Sequence, residues 1–327
     1  MHVSTLTWTL TLVVTVGILL FDVFVIGRRP HTPSRKETSV ALGVFIGSAV
    51  LFGLGIWSFY GSQYGGEFFA GWLTEYSLSI DNLFIFLIIM SKLSVPRKYQ
   101  QTALLIGIVI ALVLRGIFIA VGAAAINNFS WVFYLFGAFL VLTAVNLVRE
   151  GHEEEQGYDE PMLVRWVRKT FPVSEEWDGV KMFVRRNGRR LLTPMAIVVL
   201  TLGMTDLLFA LDSIPAIYGL TKEPYLVLTA NVFALMGLRQ LYFLLGDLLK
   251  RLVYLSYGLA VLLLFIGVKL VLHAMHLNEL PFINGGHHVE WAPDIPIWVS
   301  LVVIVGMLAV TAVASLAKDR HTRAAGA

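Results

Sequence analysis

Two stretches of this sequence carry carboxylates inside otherwise apolar runs. The first, EYSLSIDNLFIFLIIM, starts at Glu75 and contains Glu75, Asp81 and Asn82. The second, TDLLFALDSIPAIYGL, starts at Thr205 and contains Asp206, Asp212 and Ser213. In each, an acid is followed after five residues by Asp and then a small polar residue. A charged side chain at mid-bilayer costs about 2.5–3.5 kcal/mol on insertion scales, so such groups must face one another, water or an ion. The next apolar run in each case holds one arginine, Arg115 in ALVLRG and Arg239 in ALMGLRQ. Glu75, Asp81, Asp206 and Asp212, ionised against two arginines, leave a net charge of −2. One divalent cation or two protons would neutralise it, which suggests exchange of the one for the other.

Carboxylate, amide and hydroxyl oxygens are hard donors. They suit magnesium, calcium and manganese rather than zinc or copper. Glu75, Asp81, Asn82, Asp206, Asp212 and Ser213 are therefore the candidate metal ligands. Arg115 and Arg239 cannot ligate a cation and are read as counter-charges that hold the carboxylates when the site is empty. Seven residues make nearly two helical turns, so Glu75 shares a face with Asn82, and Asp206 with Ser213. On an ideal helix Asp81 and Asp212 point elsewhere. Pro215 removes a backbone donor and disfavours helix just before it, so a break near Asp212 and Ser213 is expected to turn that carboxylate inward. The competing reading is a set of salt bridges that fixes helix packing. Two arginines cannot pair four acids, which argues against it.

Further polar residues flank this set. Asp22 and Asp247 sit near span ends and read as solvated caps or as vestibule residues. Glu67 reads as interfacial. Lys269, with His273, reads as a snorkelling lysine or as a proton-relay or gating residue. His287, His288, Glu290 and Asp294 read as an exposed loop with metal-collecting capacity as the alternative, and His152-Glu153-Glu154-Glu155 likewise as a solvated loop or a weak metal sensor.

These residues need apolar helices to position them, and the composition supplies them. Of 327 residues, 57% are hydrophobic and 14% charged, whereas soluble domains carry roughly 25% charged residues. Lipid must cover the excess. A span needs about 20 apolar residues. Nine stretches qualify: 6–27, 39–60, 67–90, 102–126, 130–148, 194–219, 225–249, 254–275 and 295–316. The first has no preceding basic residue and no small-residue cleavage site, so it is expected to remain as an anchor. With the N-terminus outside, 21 of the 25 Lys and Arg residues fall in cytoplasmic segments and only Lys222 lies in an outer loop. That is the positive-inside pattern. It puts the C-terminus in the cytoplasm.

The polar segment 149–192 is expected to be cytoplasmic. Within it PMLVRWVRKTF reads as a short basic helix on the membrane surface. KMFVRRNGRRLL reads as a β-hairpin turning at Asn187-Gly188. The third runs of the two arginine-bearing units also align, YLFGAFLVLTAVNLV from Tyr134 with YGLAVLLLFIGVKLV from Tyr257. The expected fold is thus an all-α polytopic membrane protein of about nine helices with a 3+3 inverted repeat, an arrangement typical of secondary transporters. The expected organisation is 1–66 as two accessory helices, 67–148 as the first repeat and 149–192 as the loop. The second repeat is then 193–275, and 276–327 holds an outer loop, the last helix and the tail.

Zero cysteines exclude disulfides, zinc-thiolate sites and iron–sulfur clusters from these residues. No P-loop, Gly-rich strand–turn or catalytic triad is legible, so neither an ATP-driven pump nor an enzyme is expected. The basic residues are distributed as topology requires, and no nucleic acid partner is expected.

The paired motifs EYSLSIDN and TDLLFALDSIPAIYGLT resemble the signature helices of the TerC family of integral membrane proteins, which includes the Alx proteins. The resemblance runs from about Gly71 to about Leu272. It implies manganese(II) export across the bacterial plasma membrane, with manganese(II) or another divalent cation as cargo and no prosthetic group. It also implies a link to supplying metal to exported proteins, hence membrane or secretion-machinery partners besides the lipid bilayer. The family is named for tellurium resistance. Tellurite is an anion that an acidic site would repel, so any tellurite phenotype is expected to be indirect or to need a protein partner. The alternative function is a membrane component of a tellurium-resistance or envelope-stress complex without transport of its own.

Overall fold

A computed structural model describes residues 3–26, 33–129, 131–150, 162–174, 176–186, 189–249, 254–278 and 295–325, with short pieces between 280 and 293. Ten helices dominate. They are α1 (Thr5–Ile26), α2 (Arg35–Tyr60), α3 (Ser62–Lys92), α4 (Arg97–Asn128), α5 (Val132–Glu150), α6 (Met162–Thr170), α7 (Pro194–Tyr218), α8 (Pro224–Leu249), α9 (Leu255–His276) and α10 (Ile297–Ala325). Two strands, β1 (Phe183–Arg186) and β2 (Arg189–Leu192), precede α7. Eight helices, α2–α5 and α7–α10, are long and apolar enough to cross a membrane by length and composition. The 22 residues of α1 match a ninth expected span in length, although its described side chains cover only Thr5–Ile18.

Local signals set the helix ends. Ser34 caps α2, its hydroxyl accepting from the Glu37 amide while Glu37 reaches back to the Ser34 amide. This reciprocal box satisfies two amides that the first turn leaves free. Thr193 caps α7 and Pro194 follows at its first position, where a missing N–H costs nothing. Tight steric approach places the helices. A Cβ on Gly53 would fall 2.4 Å from the Phe69 ring, and one on Gly137 would fall 2.9 Å from the Gly267 carbonyl.

α3 and α8 form the centre of the bundle. The apolar stretch of α8 is 89% buried and that of α3 62%, against 17% for α2 and for α10. α3 packs on α8, α4 on α7 and α5 on α9, and α3 meets α7 as α4 meets α8. Exchanging α3 with α7, α4 with α8 and α5 with α9 maps these packings onto themselves. Mid-helix side chains such as Leu51, Val121 and Val302 are exposed, the surface that lipid would cover. Exposed aromatics gather at both ends: Trp57, Trp131 and Trp298 at one, Trp166, Phe171 and Phe183 at the other. Such girdles mark the membrane–water boundary.

The segment before α7 is structured. α6 buries Val164 while Trp166 is exposed, and Arg168 and Lys169 lie in its last turn. The hairpin pairs Phe183 with Leu192 and Arg186 with Arg189; its turn residues Asn187 and Gly188 lie outside the described residues, as do His152–Glu155, Glu290 and Asp294. One local expectation is corrected. α7 runs unbroken through Asp212, Ser213 and Pro215 to Tyr218. The helix absorbs Pro215 in its last turn, three residues before Tyr218, and the buried packing of Ser213–Tyr218 keeps the backbone wound at Asp212.

Candidate functional site

The middle of the bundle holds a buried ion-pair layer built on Arg115. Its guanidinium meets Asp206 as a fork, Nε donating to Oδ2 at 2.9 Å and Nη2 to Oδ1 at 3.2 Å. Nη1 donates to Ser213 Oγ at 3.2 Å and to Asn231 Oδ1 at 2.9 Å. The same nitrogen is ion-paired with Glu75 Oε1. Glu75, Arg115, Asp206, Ser213 and Asn231 are each at most 1% exposed. All three guanidinium nitrogens therefore engage partners, and the group meets α3, α7 and α8 at once. The fork geometry makes this a task for Arg rather than Lys. Two carboxylates against one guanidinium leave this described set one negative charge in excess.

Apolar layers close the site along the bundle axis. Ile119, Ile214 and Ile217 pack on one side, in a cluster that includes Tyr218. Leu83, Ile108 and Leu202 pack on the other. Charges so enclosed interact more strongly than in water.

The other expected residues are distributed as follows. Asn82 is buried on α3, two turns beyond Glu75. Asp212 is half-buried on another face of α7 and accepts from Thr143 Oγ1 of α5 at 3.2 Å. It stands apart from the Arg115 layer because the unbroken helix turns it roughly 240° from Asp206. Arg239 is buried on α8 beside Gln240. With the Gln240 amide oriented to satisfy both its ends, its oxygen accepts from Arg239 Nη2 at 2.9 Å. Arg239 lies among Ile18, Phe45 and Leu105, away from Glu75 and Asp206. The side chains of Asp22, Asp81 and Asp247 lie outside the described residues, although all three positions are helical. Among the described residues, no three His, Cys, Asp or Glu side chains converge as a metal group. Among the described side chains, a cation held here would meet two carboxylates, those of Glu75 and Asp206.

A cavity of about 540 Å³ opens at the end of the bundle where α3 begins, and Lys269, His273 and Tyr218 line it. Glu67 also lines it. Expected at the interface, it is instead 8% exposed, because Thr221 Oγ1 and Gln63 Nε2 donate to it at 2.6 and 3.1 Å. Lys269 Nζ donates to Ser300 Oγ at 3.0 Å rather than reaching out to solvent. Tyr218 forms the floor, its hydroxyl donating to the Ile119 carbonyl at 2.6 Å. Ser213 lies five residues along α7 from Tyr218, so the ion-pair layer is about 7.5 Å beneath that floor. At the same end, the ring of His288 bonds to the His276 carbonyl (2.6 Å) through Nδ1.

The sequence reading missed Asn231 and Thr143. Asn231 has a signal, a lone amide within the apolar run LVLTANVFALMG. Thr143 has none, since a buried threonine ordinarily bonds its own helix.

The residues that build this layer lie within a match to the pattern of the integral membrane protein TerC family, over residues 60–323. An uncharacterised membrane protein of Mycobacterium tuberculosis (strain ATCC 25618 / H37Rv) is 46% identical over 318 residues, 96% of this chain and 80% of that protein. One of Myxococcus xanthus is 38% identical over 306 residues, covering 94% and 90% of the two chains. Alx of Escherichia coli (strain K12), by name a candidate membrane-bound redox modulator, is 37% identical over 308 residues, 91% of this chain and 90% of its own. No solved structure matches the chain significantly. The match over 60–323, with these near full-length relatives, identifies the chain as a member of the TerC family of integral membrane proteins.

Proposed function

We propose that this protein is a secondary transporter that exports a divalent cation, manganese(II) first, across the plasma membrane in exchange for protons. The observation that carries the reading is one guanidinium shared between Glu75 and Asp206, acids contributed by the two motif helices and buried mid-bundle. An ion pair kept only for packing gains little over well-packed apolar residues. In a membrane, ionisable groups so placed mark ion pathways. A cation and Arg115 compete for the same two carboxylates, so loading requires the guanidinium to yield. Hard oxygen donors favour manganese(II), magnesium or calcium over zinc. The cavity at Glu67 supplies a wet approach from one end. An inverted repeat of α3–α5 with α7–α9 fits both the paired motifs and the interchangeable packings, and would let the two apolar layers open alternately.

In this reading Asp81 and Asp212 are further cation or proton stations, Asp22 and Asp247 are vestibule residues, and Arg239 is the second counter-charge. The redox description of Alx reaches this chain only indirectly. These 327 residues include no cysteine and so no thiol couple, whereas manganese is itself redox-active.

The test is flux. Protein in liposomes with an internal manganese indicator is expected to carry manganese(II), faster with an opposing proton gradient. Glu75→Gln, Asp81→Asn, Asp206→Asn and Asp212→Asn are each expected to reduce flux at least about tenfold, the scale of one lost charged interaction. Folded wild-type protein that carries none, with or without a gradient, would leave the complex-component reading in its place.

A further inference from the structure

Hydroxyls in this bundle are generally satisfied by their own helix. Thr201 donates to the Ile197 carbonyl at 2.7 Å and Thr229 to that of Tyr225 at 2.8 Å. Thr15 does the same with Thr11, also at 2.7 Å. The hydroxyls on either side of Glu75 in α3 break this habit, as do the single threonines Thr102 on α4 and Thr205 on α7. Thr74, Ser77 and Ser79 are at most 1% exposed, and their hydroxyl oxygens have no hydrogen-bond partner. Leaving a buried hydroxyl unpaired is costly, and each such group calls for a reason.

Their spacing supplies one. Ser79 follows Glu75 by four residues and Asn82 follows Ser79 by three, so the three share one face at steps of about 6 and 4.5 Å. Thr74 and Ser77, one turn apart, lie well round the helix from this line, roughly 100° and 160° from Glu75. The α7 motif has no such line, because Leu208 and Ala210 stand where α3 has Ser77 and Ser79. Phe86, one turn past Asn82, is buried on the same face and closes it.

We propose that this face of α3 is the cation's path between the Arg115 layer and the Lys92 end of the helix, with Ser79 and Asn82 as successive neutral oxygen ligands. The proposal rests on the transporter reading above. A divalent cation approaching Glu75 from the Lys92 end must exchange one oxygen for another at each step, and donors one turn apart let it do so without shedding its whole shell. Neutral donors ahead of the carboxylate bind weakly enough to hand it on.

The experiment measures manganese(II) flux in liposomes and melting in detergent for Ser79→Ala, Ser77→Ala/Ser79→Ala and the control Thr201→Val. Ser79→Ala is expected to raise the KM for manganese(II) about fivefold or more, the scale of one lost oxygen ligand. It is expected to shrink the rise in melting temperature that manganese(II) induces. Without metal it should melt at or above the wild-type temperature, since an orphan hydroxyl has been removed. Thr201→Val should leave the KM unchanged. A metal-free Ser79→Ala that melts lower assigns Ser79 a structural bond and overturns the path, as does an unchanged KM in the double variant. Wild type that moves no manganese(II) removes the transporter reading and the path together, whereas wild-type flux with unaffected variants removes the path alone.

Discussion

At the scale of single residues, Arg115 decides the state of the site. It ion-pairs with two carboxylates and donates to a hydroxyl and an amide oxygen with one planar group. Arg115→Leu leaves two buried acids without a counter-charge, and the expected loss of stability is about 3–5 kcal/mol. Most of that cost belongs to the stranded acids rather than to the missing contacts. Neutralising them as well, in Glu75→Gln/Asp206→Asn/Arg115→Leu, is therefore expected to recover much of the melting temperature, a coupling that residues sharing one network should display. Thermal unfolding in detergent reads both variants. A triple variant less stable than Arg115→Leu alone would show that the layer is held by something other than charge balance. Added manganese(II) should also stabilise Arg115→Leu more than wild type, because no guanidinium competes for Glu75 and Asp206.

Among the helices, α5 and α9 cross backbone to backbone. Gly137 and Gly267 each face the other's carbonyl, and an added Cβ would meet it at 2.9 and 3.0 Å respectively. Backbone cannot move aside as a side-chain tip can. Gly137→Ala or Gly267→Ala is expected to cost about 1–3 kcal/mol, the usual range for overpacking. The double variant should cost less than the two single losses combined, since a crossing widened for one Cβ also admits the other. Fully additive losses of melting temperature would argue that the two glycines act independently. This contact also marks a limit of what the sequence makes legible. Length and hydropathy set the helix ends to within about five residues, except that α10 runs on to Ala325, and the dipeptide Asn187-Gly188 pointed to the hairpin whose strands pair at Phe183 and Leu192. The acids and arginines stood out because charge is rare in apolar runs. What stayed hidden was partnership. Gly137 is one glycine among 28, and nothing local says that it meets Gly267. Nor does spacing say that Arg115 reaches α7 and α3 together while Asp212 turns to Thr143 on α5. Pro215 misled for a related reason. A proline inside a helix removes a single amide bond, here that to the Leu211 carbonyl, and the buried packing of Ile214, Ala216 and Ile217 keeps α7 intact where an isolated helix would yield.

For the molecule as a whole, the two ends differ in charge, and that difference argues its orientation. Lys222 stands between α7 and α8 at the cavity end, exposed, its ammonium 5.0 Å from the Phe133 ring centre. Lys181 stands at the opposite end, before α7, 66% exposed and paired with Asp178. Of the long apolar helices only α7 lies between them, so a bilayer threaded by α7 puts them on opposite sides. The end that holds Lys181 also holds the arginines of α6 and of the hairpin, and basic segments stay in the cytoplasm. We therefore expect the cavity with Glu67 to face outward, which makes it the exit of an exporter. The absence of cysteine from the chain allows a direct check on an otherwise natural background. Lys222→Cys should react with a membrane-impermeant maleimide in intact cells, and Lys181→Cys only after permeabilisation. The reverse pattern would invert the protein and turn the cavity into an entrance. Labelling of both from outside would mean that α7 does not cross, and the ion-pair layer that α7 shares with α3 and α4 would then lie outside the membrane midplane.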